Sequence, residues 1–97
     1  MRIQCRAADR SLCIDGMRVN PTDSQQLRNH SPDGFNWGYG GSGPAQLALA
    51  ILLASVGRRA ALLNYQRFKF EVVAAWPQGQ DVDVSIDLTP WGESQLP

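Results

Sequence analysis

Residues 34–53 read GFNWGYGGSGPAQLALAILL, a tryptophan–tyrosine–glycine loop, a proline, and then an apolar run. Between Ala45 and Ala54 the only polar residue is Gln46. A helix apolar on nearly every side belongs at the centre of a fold, not on its surface. Pro44 suits the first helical position, where its missing N–H costs nothing. Ser42 or Gly43 then falls at the N-cap, with Gln46 placed to reach back as part of a capping box. Gly57 is positioned to end the helix. The glycines before it mark a backbone path or a close approach that bulkier residues resist.

Working outward, residues 59–76 carry Leu62, Tyr65, Phe68, Val72 and Trp76 at spacings of three and four. That periodicity predicts an amphipathic helix, stopped by Pro77 and Gly79. Two helices joined near Gly57 form an antiparallel hairpin. Upstream, residues 2–8 alternate loosely, 12–14 resume an extended run, and Asp15-Gly16 is a tight-turn dipeptide leading to a short strand at 17–19. Residues 20–43 are a long connection in which 25–29 is a candidate short element. Downstream, Val82, Val84, Ile86 and Leu88 alternate with Asp81, Asp83, Ser85 and Asp87, the cleanest strand pattern in the chain. The expected fold is α+β: a small antiparallel sheet of the N-terminal strands plus a C-terminal strand, packed on a two-helix hairpin. At 97 residues it is expected to be a single domain over 1–97, closed by a polar tail.

Nine basic and nine acidic side chains cancel. Binding driven by phosphate contacts favours a basic excess, so direct sequence-specific nucleic-acid binding is not expected. Eight of the nine basic residues are arginine, a side chain suited to bidentate and stacked contacts. The segment 45–56 is too short to span a bilayer, which takes about 20 residues. With no apolar leader at the N-terminus, a cytoplasmic protein is expected. Cys5 and Cys13 are expected as free thiols in a reducing compartment. A single histidine, His30, leaves no Cys/His set for zinc, and no metal or cofactor is expected.

Three patterns bear on chemistry. Gly38-Tyr39-Gly40-Gly41-Ser42-Gly43 matches GxGxxG before a helix, so Gly40, Gly41, Ser42 and Gln46 are the candidate contacts of a nucleotide or phosphate ligand. The match lacks a preceding buried strand and the acidic ribose partner about 20 residues on. His30, Ser31 and Asp33 are sequence neighbours, which suits a capped turn better than a nucleophile and its base. Asp81, Asp83 and Asp87 fall on the solvated face of an alternating strand. No catalytic set emerges. Trp37 and Tyr39 are either plugs at the core edge or exposed anchors for a partner, and Arg28 and Arg67 join them as candidate contacts.

The run LRNHSPDGFNWGYGGSGPAQLALAILL, residues 27–53, resembles the signature of a family of small uncharacterised bacterial and mobile-element proteins. It carries Asn29-His30-Ser31-Pro32, the block 34–49, and later Tyr65-Gln66-Arg67-Phe68-Lys69 in the same order. The resemblance covers about residues 12–76. It implies a host-interaction role, such as anti-defence inhibition of a CRISPR complex, with a host protein or ribonucleoprotein complex as partner.

Overall fold

The structure, a computed structural model, describes residues 1–92; the polar tail, 93–97, lies outside the described residues. Four strands form one antiparallel sheet: β1 (Arg2–Arg6), β2 (Ser11–Ile14), β3 (Met17–Val19) and β4 (Val82–Ser85), in the spatial order β3-β2-β1-β4. The helices are α1 (Thr22–Leu27), α2 (Ser42–Val56) and α3 (Arg58–Glu71), with 3-10 turns at Val73–Ala75 and Thr89–Trp91. This is the expected α+β architecture, with the C-terminal strand entering the N-terminal sheet beside β1.

Alternation decides the faces. Ile3 pairs with Ile14 and Val84, and Cys5 with Leu12 and Val82, so the apolar members share one side of the sheet. That side joins α2 and α3 in a single core. The opposite side carries Arg2, Gln4, Cys13, Arg18 and Asp83, with Arg2 forming a bidentate ion pair to Asp83 at 3.0 and 2.7 Å. The hairpin between β2 and β3 turns through Asp15 (φ 48°) and Gly16 (φ 82°), the left-handed pair that a two-residue turn demands.

The central helix α2 is buried from Gly43 through Leu52 without interruption. It starts two residues earlier than the proline suggests: Gly41 is the N-cap and Pro44 the third helical residue. No side chain caps it, and Gln46 is turned elsewhere. Gly57 alone separates α2 from α3, and the two helices form the most extensive contact in the molecule.

Other element boundaries differ from the sequence expectation as well. The second helix ends at Glu71, not Trp76, because Val72 (φ −121°, ψ −65°) leaves the helical region. The Val73 carbonyl beyond that break accepts the Gly38 N–H at 3.1 Å. Strand β4 ends at Ser85, and one residue further Ile86 still exchanges backbone bonds with Met1. Strand β1 ends at Arg6, where the Asp81 carboxylate takes the Ala7 N–H at 2.8 Å and turns the chain. The short element in the long connection is α1, at 22–27 in place of 25–29.

Candidate interaction surface

Helix α3 has two faces. At 100° per residue, Ala61, Tyr65 and Phe68 fall together and are buried against α2 and the Thr89–Trp91 turn. Arg59, Leu63, Gln66, Arg67 and Phe70 fall on the other side and are exposed. Leu63 is 61% and Phe70 64% exposed, two large apolar side chains two turns and about 10 Å apart. An exposed leucine or phenylalanine alone is ordinary; a pair aligned on one helix face is a patch.

The glycine loop extends this patch. A Cβ on Gly40 would lie 3.3 Å from the Phe70 ring, so the loop backbone rests against that side chain. Tyr39 beside it is 38% exposed. Exposed arginines flank the surface, while Lys69 is buried with its ammonium 3.9 Å from the Phe70 ring centroid. The Arg67 guanidinium stacks 4.4 Å above Trp91 and sits 3.6 Å from the Glu71 carboxylate. Trp91 is itself fixed by an edge-on contact with Phe68 and by Asn64, whose amide donates to the Trp91 carbonyl at 2.8 Å. Four cations and one carboxylate lie on α3.

The sequence candidates fare unequally. Trp37 is not a surface anchor: it is 1% exposed, and its indole N–H donates to the Gln80 carbonyl at 2.9 Å. That corrects the anchor reading. The aromatic–glycine loop is stitched onto residues 73–80 and drives the indole into the core. Tyr39 stays accessible, and Arg67 is accessible but pre-positioned by Trp91. Arg28 is exposed at the end of α1, with its guanidinium donating to the Leu27 carbonyl at 3.0 Å. Leu63 and Phe70 were not singled out from sequence. Their signal was there: two large apolar residues on the polar side of an otherwise amphipathic helix.

Of the phosphate-loop candidates, Gly41 and Gln46 are packed within the protein itself, while Gly40 and Ser42 stay exposed. A Cβ on Gly41 would lie 2.5 Å from the Tyr39 ring, and one on Gly43 2.7 Å from the Asn36 side chain. The loop is thus folded over its own aromatic ring, with Gly40 against Phe70 and Ser42 exposed at the first helical position. Gln46 is fully buried, and its amide is committed to the 24–31 segment. Its Oε1 accepts the N–H groups of His30 and Ser31 at 2.8 and 3.0 Å; its Nε2 donates to Ser24 Oγ and the Arg28 carbonyl at 2.9 and 3.0 Å. A ligand role for Gln46 is therefore corrected to a structural one.

The pinned segment presents His30, whose Nε2 shares a 2.7 Å hydrogen bond with the Tyr65 hydroxyl. Ser31 serves a turn through its carbonyl, which accepts the Gly34 N–H at 3.1 Å. Where α1 meets the α2–α3 junction, an open groove of about 380 Å³ is lined by Asp23, Gln26, Leu27, Leu53 and Arg58. Among the described residues no group of three or more histidine, cysteine or acidic side chains is placed to hold a metal ion, and no helix is long and apolar enough to cross a membrane.

A four-stranded antiparallel sheet backed by a helical hairpin, with an apolar–cationic stripe on the outer helix, defines a small α+β domain with one prominent exposed face. The chain belongs to DUF6166, a family of unknown function, whose model matches residues 4–91. No curated protein and no solved structure matches the chain.

Proposed function

We propose that this chain is a non-enzymatic protein-binding domain that engages its partner through the outer face of α3 and the adjoining Tyr39. One observation carries the reading: Leu63 and Phe70 stand exposed in line on the same helix face, flanked by Arg59 and Arg67. Keeping such side chains in water forgoes hydrophobic stabilisation of roughly 1.5–3 kcal/mol each, which a partner recovers on burying them. Aromatic and arginine side chains are the types that dominate interface energetics. The near-zero net charge agrees with recognition by shape and short-range contacts, without a long-range field.

On the resemblance drawn from the sequence, the proposed partner is a host protein or ribonucleoprotein complex met in the cytoplasm and antagonised by a mobile element. The test is quantitative affinity purification from host lysate with the full chain and its Leu63→Ser and Phe70→Ser variants. A specific protein recovered by the native chain and depleted at least tenfold by either variant is the expected result. Equal recovery by all three removes the α3 face from the function.

A further inference from the structure

We propose that the segment docking on α3 is an acidic amphipathic helix of the partner protein, laid along the line from Leu63 to Phe70. The inference rests on the reading above and adds the chemistry of the occupant. Helix-in-groove recognition is read by apolar anchors at i, i+3 or i+4, and i+7. Leu63 and Phe70 stand two turns apart on α3, so a helix laid alongside meets them with apolar residues at the same i and i+7 spacing. Tyr39, brought alongside by Gly40 against Phe70, widens the apolar strip at its C-terminal end.

Charge complementarity specifies the flanks. Of the five charged groups on α3 only Glu71 is acidic, and it lies beside Arg67. Arg59, beside Leu63 and Phe70 on the helix wheel, occupies the first helical turn, where the helix dipole disfavours cations and no acidic residue offsets it. Arg67 is stacked on Trp91, so its guanidinium is already ordered for a bidentate carboxylate contact. A second copy of the chain fits poorly, because α3 offers these arginines only one carboxylate, Glu71, and it already lies beside Arg67.

The experiment is selection from a displayed library of helical 14-residue peptides against the folded full chain, with Leu63→Ser, Phe70→Ser and Arg59→Glu/Arg67→Glu variants as counter-targets. Circular dichroism checks that each variant folds, and the two serine variants report on the same face independently. The expected consensus has apolar residues at i, i+3 or i+4, and i+7 with carboxylates alongside. Its binding drops at least tenfold in either serine variant, and the double charge reversal shifts the preference to basic peptides. Peptides that depend on Leu63 and Phe70 but carry no acidic bias overturn the acidic occupant and leave the α3 reading standing. Enrichment indifferent to both serine variants overturns both. Failure to enrich any sequence above bare support overturns the helical occupant. Phe70-dependent dimerisation in sedimentation, or Phe70-dependent binding to phosphatidylglycerol vesicles, assigns the face to a second copy or to a membrane and overturns it too.

Discussion

Gln46 Oε1 accepts the backbone N–H of His30 at 2.8 Å, so one amide inside the apolar helix α2 fixes a loop sixteen residues away in the chain. Three further bonds, to Ser24, Arg28 and Ser31, leave that amide fully used. Replacing it by leucine keeps the volume and orphans several buried partners. Each orphaned group costs about 1–3 kcal/mol where water cannot reach it. Gln46→Leu is expected to lower stability in urea unfolding by about 3 kcal/mol or more and to broaden the amide resonances of 28–31.

Gly38 and Gly41 are expected to respond differently to alanine. At Gly38 the backbone is left-handed (φ 86°) and a Cβ would meet the Gln78 backbone at 2.5 Å, so neither side can give way. At Gly41 the obstacle is the Tyr39 ring, a side chain already partly in solvent. Gly38→Ala should cost at least about 2 kcal/mol. Gly41→Ala should cost less, and should cost nothing further in a Tyr39→Ala background. A double-mutant cycle by thermal unfolding measures the difference.

Leu49 and Leu52 are fully buried in the middle of α2, which is buried without interruption from Gly43 through Leu52. Truncation to alanine is expected to cost about 2–5 kcal/mol. For a domain of this size that approaches the whole margin. A cooperative, native-like melt for Leu49→Ala near the parental temperature would contradict the core as described.

The two cysteines are free and face opposite sides of the sheet: Cys5 is opposite Leu12 on the core side, Cys13 opposite Gln4 on the solvent side. Burial, with a smaller contribution from Cys13, pushes the Cys5 thiol from 9.0 up to about 12. Native-state alkylation at pH 8 is expected to label Cys13 alone, and denaturation to release a second thiol. The linkage has a definite sign. The folded chain holds the Cys5 proton more tightly than the unfolded one, so this contribution to stability is complete below pH 9 and declines as pH rises from 9 towards 12. A Cys5→Ala variant should lose that alkaline slope.

Much of the fold was legible because local pattern and tertiary environment agree. The alternation of 82–88, the Asp15-Gly16 turn and the apolar run after Pro44 each specify an element without reference to anything distant. The misread ends are those set from afar. Helix α3 stops where Val73 turns to meet Gly38, and β1 stops where the Asp81 carboxylate takes the Ala7 N–H. The site was less legible for the same reason. Whether Trp37 points in or out depends on where Gln80 lies, 43 residues on, and the commitment of Gln46 depends on four partners in another segment. Leu63 and Phe70 were readable as a breach of amphipathic pattern, but a helix wheel becomes a surface only once the packed face is known.

The outer position of β4 carries a consequence for how this protein behaves when concentrated. Met1 and Ile86 exchange both backbone bonds, so the alternate residues Asp83 and Ser85 turn their N–H and C=O groups away from β1 into open solvent. Among the described residues no strand pairs with that rim, which is a template on which another strand can grow; Asp83 stands on it and Asp87 just beyond its end. Two such rims meeting edge to edge bring these carboxylates together, offset at Asp83 by its ion pair with Arg2. Hydrogen bonding to Arg2 holds the Asp83 carboxyl below the usual carboxylate range, and the Thr89 bonds do the same for Asp87. The electrostatic fence therefore outlasts mild acidification. Protonating these carboxylates in acid removes it, and edge-to-edge association of the chain is expected to rise there, read by light scattering across a pH series.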